Sequence, residues 1–325
     1  MSSKILLFEK QINEVVAKIC TDERPSSLFE PIRYTLSIGG KRLRPLLTVL
    51  ATDLFGKDPS IVIDSAVAVE IFHNFTLMHD DLMDRAELRR GFPVVHKKWN
   101  DNVAILSGDA MLIEAYKQIE KVPTDKLPVI LHLFSVMAMD VCRGQQYDLD
   151  FEHRTDVTEE EYLGMIRLKT AVCFANALKI GAVLADAAEE DAKLLFEYGI
   201  NLGMAFQLKD DLLDVYGDPK TFGKKIGGDI LCNKKTFLLI SALKHANSKQ
   251  KEQIVGWLSK TDFDPEEKIQ AIRTIYDELN LYTVSQLLIE KYFLASLDFL
   301  SKINVPEEQK YELLTLSKNL INREK

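Results

Sequence analysis

The stretch that decides the fold is AVAVEIFHNFTLMH, residues 66–79. Its apolar residues recur at spacings of three and four, which is the period of an α-helix. They also surround much of the helix circumference, as expected of a helix at the centre of a large bundle. The same periodicity recurs in LLTVLATDLF (46–55), VILHLFSVMAMDVC (129–142), AVCFANALKIGAVLA (171–185) and residues 195–208.

Signals for other structure are sparse along the chain. Alternating β-branched residues bounded by tight turns, the signature of strands, are absent from the sequence. The segment DVTEEE predicts a helix start, with Asp156 or Thr158 as its cap. From about Lys244 onward the pattern is amphipathic and highly charged, which is typical of peripheral helices. No low-complexity linker divides the chain, so we predict an all-α protein with one domain, 1–325.

Composition excludes several classes of protein. The 325 residues carry a formal net charge of −8, which argues against nucleic acid as the main partner. The four cysteines include no C-x-x-C pair, so neither a disulfide framework nor a zinc site is expected. We interpret them as reduced thiols and predict a cytoplasmic protein. The apolar run near the N-terminus is too short for a secretion signal. No segment approaches about 18 uncharged apolar residues, so we predict no transmembrane segment.

Two acidic clusters with the spacing D-D-x-x-D follow apolar helical segments. The carboxylates are Asp80, Asp81 and Asp84 in the first cluster and Asp210, Asp211 and Asp214 in the second. Residues three and four apart lie on one helix face, where like charges repel. One such cluster alone is typical of a solvated acidic face, but repetition on two apolar helices indicates a shared task. Because Mg²⁺ prefers oxygen ligands and is often shared between carboxylates and phosphates, two facing clusters suit a magnesium-bound diphosphate.

Basic groups flank both clusters. They are Lys41, Arg42 and Arg44 in GGKRLRP, Arg89 and Arg90 in RRG, Lys169 in KT, and Lys224, Lys225, Lys234 and Lys235 in FGKKIGGDILCNKKT. Any one of these groups alone is typical of a solvated surface. Together, in an acidic protein, they fit a polyanion that is bound partly by arginine and lysine side chains.

In this order the motifs resemble those of trans-isoprenyl diphosphate synthases, the polyprenyl synthetase family, over residues 39–236. The resemblance implies a single large helical bundle around a deep central cavity, of the isoprenoid synthase type, in a homodimer. It implies Mg²⁺ as the cofactor, three ions for each active site. It also implies head-to-tail condensation of isopentenyl diphosphate with an allylic diphosphate: dimethylallyl, geranyl or farnesyl diphosphate.

The resemblance also implies roles for individual residues. Mg²⁺ is held by Asp80, Asp84 and Asp210, supported by Asp81, Asp211 and Asp214. The allylic diphosphate contacts Arg89, Lys169, Lys224 and Lys234. Isopentenyl diphosphate contacts Lys41, Arg44, His73 and Arg90, with Arg42 beside them. Thr170 and Gln207 direct oxygen dipoles at the allylic cation. Two positions depart from the family pattern: Asn233 stands where glycine is common, and Lys225 often corresponds to proline or another residue.

Chain length is expected to depend on the helix before the first cluster. Phe75 lies five residues before Asp80, and Phe72 and Thr76 are its neighbours on the helix. An aromatic at this position, with no insertion inside D-D-x-x-D, resembles the short-chain enzymes that form geranylgeranyl diphosphate. Adjacent aromatics four and five residues before the first aspartate would favour farnesyl diphosphate. We therefore expect C20 as the main product, with C15 as the alternative.

Three other functions compete with this interpretation. A helical metal phosphohydrolase of the HD type would use His73, His79, Asp80 and a later aspartate as metal ligands, but it leaves the second cluster and the lysine motifs unexplained. A non-catalytic helical scaffold predicts that loss of the aspartates is harmless. A terpenoid cyclase needs the first cluster and a different second metal motif, so the intact second cluster favours chain elongation.

Overall fold

The computed structural model describes residues 3–217 and 226–323, which are almost entirely helical. This confirms the predicted all-α class. The first ten helices are α1 Ser3–Val16, α2 Ser26–Ser37, α3 Leu43–Leu54, α4 Ile63–Met83, α5 Val95–Lys98, α6 Asp101–Ile119, α7 Leu127–Glu152, α8 Glu159–Ile166, α9 Val172–Leu184 and α10 Glu189–Tyr216. The remaining helices are α11 Gly228–Leu231, α12 Phe237–His245, α13 Ser248–Ser259, α14 Pro265–Glu278, α15 Leu281–Ser301 and α16 Glu307–Ile321. A 3₁₀ turn, Pro59–Val62, precedes α4, and a π-helical turn, Arg167–Ala171, joins α8 to α9.

The chain forms two compact units. Unit 1 contains Met1–Ala138, Cys173–Phe196 and Lys302–Leu316, and unit 2 contains Met139–Val172, Glu197–Ser301 and Ser317–Lys325. The first cluster belongs to unit 1 and the second cluster to unit 2. That the whole chain acts as one domain stays a prediction.

Helix α4 is the core of unit 1. The six residues from Ala66 to Ile71 are at most 2% exposed, including the carboxyl-bearing Glu70. Phe72 packs edge-on against Phe134 of α7, with ring centroids 5.6 Å apart. Helices α3 and α9 approach closely where Gly181 accepts a hydrogen bond from the Thr52 hydroxyl at 3.1 Å. Burial of these apolar side chains stabilises the helix that carries the first cluster.

In unit 2 the predicted start of α8 is confirmed at Thr158, the N-cap residue. Its hydroxyl accepts a hydrogen bond from the Glu161 N–H, and the Glu161 carboxylate accepts one from the Thr158 N–H, forming a capping box. The Glu159 carboxylate bonds the Ser241 hydroxyl at 2.5 Å and the Lys244 ammonium at 2.5 Å, linking α8 to α12. These contacts fix the segment that leads into the π-helical turn.

A two-residue hairpin was not predicted. Strands β1 Leu88–Arg89 and β2 Phe92–Pro93 pair antiparallel, and the two residues between them, Arg90 and Gly91, have φ of 54° and 81°. Positive φ at both loop positions is the type I′ pattern that suits tight hairpins. The hairpin was missed because arginine occupies the first loop position, where asparagine, aspartate or glycine usually signals this turn.

Two helices have the length and composition of a membrane span. These are Pro59–Met83, 61% buried over its most apolar window, and Leu127–Glu152, 28% buried. Core helices of soluble proteins meet the same criteria, and the first belongs to the core of unit 1. The expected absence of a transmembrane segment stays a prediction.

Candidate active site

The first cluster lies at the C-terminal end of α4. Asp81 is buried, and the Arg89 Nε donates to its two carboxylate oxygens at 2.9 and 2.7 Å. Burial raises the pKa of the Asp81 carboxyl, although Arg89 opposes this shift. Asp80 and Asp84 lie on a more exposed face, and Arg89 Nη2 lies 3.8 Å from Asp80. The hairpin therefore ties Arg89 to the middle aspartate and places its guanidinium next to the first.

A second group of basic residues surrounds the start of α3. Gly39 and Gly40, which precede α3, have φ of 82° and 146°, in the region that favours glycine. A Cβ on Gly40 would lie 2.6 Å from the Arg90 guanidinium, so only glycine lets Arg90 approach this backbone so closely. Lys41 is exposed directly after it.

Arg44 and His73 form a pair in unit 1. Arg44 Nη1 lies 3.1 Å from His73 Nε2, and the Arg44 guanidinium lies 5.3 Å from the Phe174 ring centroid. Burial and the nearby Arg44 hold the pKa of His73 well below its usual value, so the imidazole is neutral at pH 7. Arg44 donates to Nε2, which assigns the ring proton to Nδ1. Arg44 Nε is buried without a hydrogen-bond partner among the described residues.

Arg42 has a structural environment that differs from the expected one. Its guanidinium is buried and bonds Glu70 at 2.6 Å, the Leu36 carbonyl at 2.7 Å and Asn13 at 3.1 Å. Removing one partner of a buried ion pair is costly because the other charge is left uncompensated. Arg42 neutralises Glu70 in the core, and its place among the substrate contacts stays a prediction.

The second cluster shows a similar division. Asp211 is buried. Its carboxylate accepts one hydrogen bond from the Tyr162 hydroxyl and a second from Gln207 Nε2 at 3.0 Å. Burial, followed by the nearby Asp229 carboxylate, raises the pKa of Asp211 to about 7. Asp214 accepts from the Asp229 N–H at 3.0 Å and so caps the turn that begins α11. The middle and last aspartates thus organise the surrounding chain.

Asp210 forms an ion pair with Arg323, close to the C-terminus. The Arg323 guanidinium lies 4.1 Å from the Phe206 ring centroid and donates to the Phe206 carbonyl at 3.4 Å. Its side chain is only 11% exposed. Arg323 therefore occupies one carboxylate oxygen of Asp210 and competes there with any other cation.

Lys169 and Thr170 project from the π-helical turn. Lys169 Nζ lies 2.7 Å from Asp148, and the Thr170 hydroxyl donates to Gln207 Oε1 at 2.9 Å. The turn fits between two glycines: a Cβ on Gly144 would lie 2.3 Å from Lys169 N, and one on Gly203 would lie 2.6 Å from Ala171 Cα. Single π turns inside helices occur often at functional sites. Thr170, Gln207 and Asp211 consequently form one hydrogen-bonded chain.

The remaining predicted residues are located as follows. Lys224 and Lys225 lie outside the described residues. Lys234 is exposed on the loop after α11. Phe72 and Phe75 are buried with ring centroids 5.7 Å apart, and the Thr76 hydroxyl donates to the His73 carbonyl at 2.8 Å. Their effect on chain length stays a prediction.

The donor set fits Mg²⁺. All six cluster residues offer hard oxygen donors, and Mg²⁺ commonly takes only one or two protein carboxylates together with substrate phosphates. Over 3–217 and 226–323 no three or more histidine, cysteine, aspartate or glutamate side chains are arranged so that they could hold a metal ion. The arginine partners of Asp80 and Asp210 show that both positions attract cations. His79 Nε2 donates to the Ile105 carbonyl at 3.1 Å.

Sequence reasoning missed several residues that shape this site: Tyr162, Arg323, Asp148, Gly144 and Gly203. Tyr162 and Arg323 reach the second cluster from 49 and 113 residues away along the chain. Neither belongs to a motif, so the sequence carries no signal for them. Gly203 interrupts an apolar helical pattern, and such an interruption can indicate close packing of backbones, whereas Gly144 lies among polar residues and carries no such signal.

Comparisons with known proteins agree with these observations. The polyprenyl synthetase family model matches residues 25–276. The chain is 39% identical over 280 residues to a geranylgeranyl diphosphate synthase of Methanosarcina mazei, covering 86% of this chain and 85% of that protein. It is 37% identical to a geranylfarnesyl diphosphate synthase of Natronomonas pharaonis, covering 71% and 73%.

Solved structures agree as well. A crystal structure of a geranylgeranyl pyrophosphate synthase superposes with a TM-score of 0.94 and 41% identity, covering 99% of both chains. The geranylgeranyl pyrophosphate synthetase of Pyrococcus horikoshii superposes with a TM-score of 0.93 and 32% identity, covering 99% of this chain and 98% of that one.

Proposed function

The chain belongs to the polyprenyl synthetase family, and we propose that it is a Mg²⁺-dependent trans-prenyltransferase whose main product is geranylgeranyl diphosphate. One observation carries the proposal. In both clusters the middle aspartate is buried and bonded by the protein, whereas the first aspartate, Asp80 or Asp210, lies on a less buried face beside an arginine. Each cluster thus holds one carboxylate in bonds within its own unit and leaves another more accessible, which suits the binding of a cation together with a diphosphate.

The proposed chemistry assigns each group a task. Bound Mg²⁺, three ions for each site, would neutralise the charge that builds on the leaving diphosphate. By the family resemblance Arg89, Lys169 and Lys234 are each assigned to the allylic diphosphate, and their charges would favour cleavage of the allylic C–O bond. Thr170 and Gln207 orient oxygen dipoles towards the allylic cation, and Asp211 holds Gln207 in place.

Isopentenyl diphosphate is assigned to the basic group in unit 1. Lys41, Arg44 and Arg90 bind its diphosphate, and the neutral His73 donates a hydrogen bond to the same diphosphate from Nδ1. The double bond of isopentenyl diphosphate attacks the allylic cation, and a proton of the new product then leaves to the released diphosphate. No side-chain nucleophile is needed.

The C20 length is proposed from the side chains before the first cluster. Phe75 is 8% exposed and lies between Phe72 and His79, with the His79 ring centroid 4.9 Å away. A rigid aromatic at this depth limits the prenyl tail. Relatives named for C20 and for longer geranylfarnesyl products are about equally similar to this chain, so the residue and not the overall identity supports the length. Farnesyl diphosphate is the second candidate.

A homodimer is part of the proposal. Leu106 and Ile113 on α6 are 60% and 63% exposed, and Val129 and Val136 on α7 are 50% and 41% exposed. Both pairs are spaced by seven residues, so each forms an apolar stripe, and such stripes commonly mark protein contacts. Light scattering should give twice the chain mass of 37.0 kDa, and Ile113→Glu should give the monomer mass. A monomeric wild type would contradict the dimer.

A cytoplasmic location also stays a prediction.

Incubation with labelled isopentenyl diphosphate tests the function. Dimethylallyl, geranyl and farnesyl diphosphate are each supplied as primers with Mg²⁺, and products are separated by chromatography. We expect elongation of all three primers to C20 and no product with EDTA. Release of phosphate without chain elongation would favour a phosphohydrolase, and a cyclic hydrocarbon would favour a cyclase.

A further inference from the structure

The loop between α11 and α12 has an unusual residue immediately before Lys234. Asn233 has φ of 58°, in the left-handed region where glycine is favoured. Asparagine tolerates this conformation better than most residues because its side chain can form local hydrogen bonds. Here the side-chain amide is bonded at both ends: Nδ2 donates to the Leu258 carbonyl at 3.0 Å, and Oδ1 accepts from Lys268 Nζ at 2.7 Å.

Lys268 is an unusual partner, because its side chain is fully buried. Its ammonium also donates to the Leu231 carbonyl at 3.2 Å and lies 4.3 Å from the Phe263 ring centroid. Lysine is almost never fully buried, and burying its charge is costly unless acceptors compensate. Burial lowers the pKa of Lys268, in agreement with that cost. A surface lysine would avoid it, so the buried position needs a reason.

The two acceptors of Lys268 lie on either side of Cys232 in one loop. Fixing Leu231 and Asn233 fixes the direction in which the chain enters Lys234. The Lys234 N–H donates to the Asp229 carbonyl at 2.9 Å, and the Thr236 N–H donates to the Lys234 carbonyl at 2.9 Å. Lys268 thus stabilises the loop that carries Lys234, the first residue of the K-x-T element.

We propose that Lys268, acting through Asn233, is a positioning residue that holds Lys234 in the orientation needed for the allylic diphosphate. The inference rests on the proposed function, because only a diphosphate-binding role makes the orientation of Lys234 matter for catalysis. In this chain Asn233 adopts the left-handed conformation, and the buried ammonium of Lys268 holds its side chain.

Steady-state kinetics test the proposal with two variants. Lys268→Met removes the ammonium and keeps a long apolar side chain at the buried position. Asn233→Gly keeps the backbone conformation and removes both side-chain hydrogen bonds. Each should raise KM for the allylic diphosphate about tenfold and leave KM for isopentenyl diphosphate within about twofold. The control is Lys249→Met, an exposed lysine on α13, which should match the wild type. Equal effects on both substrates, or none, would overturn the positioning role.

The double variant separates positioning from packing. If Lys268 acts mainly through Asn233, the double variant should raise KM by clearly less than the product of the two single effects, because the shared contact is already lost in Asn233→Gly and only the bond to the Leu231 carbonyl remains. Additive effects would mean that Lys268 acts on the site by another route, and the proposal would be wrong.

Hydrogen exchange gives a readout that does not depend on turnover. In substrate-free protein the Lys234 and Thr236 amides should exchange faster in Asn233→Gly than in the wild type, whereas amides in α8 should be unchanged. Unchanged loop amides would contradict the brace, even if Lys268→Met fails to fold. If the wild type condenses no prenyl substrate, the proposed function fails and the positioning role in catalysis fails with it. Active wild type with unchanged exchange and KM in Asn233→Gly would overturn the brace alone.

Discussion

Asp80 and Asp210 are the cluster residues on which the proposed chemistry depends most. Replacing either with asparagine keeps the shape and removes the charge, so we expect turnover to fall at least about 100-fold, roughly 2.7 kcal/mol of barrier. The fold should persist, because the buried Asp81 and Asp211 carry the structural bonds. Steady-state kinetics with circular dichroism check this, and the exposed Asp125→Asn serves as control. Near-normal turnover would remove that aspartate from the metal site.

Arg323 competes with cations for Asp210. Arg323→Gln removes this competitor, so the Mg²⁺ concentration for half-maximal turnover should fall roughly two- to fivefold, as expected for a modest, partly exposed ion pair. Arg323→Lys keeps the charge and is the matched control. Titration of Mn²⁺ by electron paramagnetic resonance gives the same comparison without substrate. A higher metal requirement in Arg323→Gln would show that Arg323 supports metal binding.

Asp211 should make stability depend on pH. Its pKa of about 7 in the folded protein exceeds the value of about 3.9 in an unfolded chain. The folded state therefore holds a proton that the unfolded state has lost, so this contribution is complete below about pH 4 and disappears as pH rises through about 7. We expect Tm in EDTA to fall over this range, and to fall less in Asp211→Asn. Parallel curves for the two proteins would be the contrary result.

The π-helical turn is the element on which Lys169 and Thr170 depend. Ala at position 203 or 144 would force a methyl group against backbone atoms of the turn, which cannot rotate away. We expect Gly203→Ala and Gly144→Ala to lose about 1–3 kcal/mol of stability through overpacking and to lose turnover as well. Thermal melts and kinetics check this.

Gly164 on α8 provides the matched control for these substitutions. A Cβ there meets nothing within 4 Å, so Gly164→Ala should gain up to about 1 kcal/mol from helix propensity. If all three variants behaved alike, close packing at the turn would not explain the two glycines.

Elements with a local cause could be predicted from the sequence. The period of three and four in residues 66–79 predicted α4, which spans Ile63–Met83. The hairpin at Arg90 and the π turn at Lys169 could not be predicted in this way. The hairpin has arginine where a tight turn usually has asparagine, aspartate or glycine, and the π turn depends on close packing against Gly144 and Gly203, which lie far away along the chain.

For the molecule as a whole, motif order predicted more than composition did. The clusters and basic residues indicated a prenyl diphosphate synthase, which the comparisons support over most of the chain. The sequence did not show that the three aspartates of each cluster have different roles, because the D-D-x-x-D motif gives no information on their burial. Burial makes them different, and burial depends on Tyr162 and the hairpin, which lie outside the motif.

The most direct measurement is the length of the product formed from farnesyl diphosphate and isopentenyl diphosphate by the wild type and by Phe75→Ala. We expect the wild type to stop at C20. Phe75→Ala should form C25 and longer products, because removing the ring deepens the space available to the tail. The control is Thr76→Ser, which changes the volume of the neighbouring side chain only slightly, and its main product should remain C20. A wild type that makes C30 or longer, or no condensation product at all, would contradict the proposal, as would an unchanged product in Phe75→Ala.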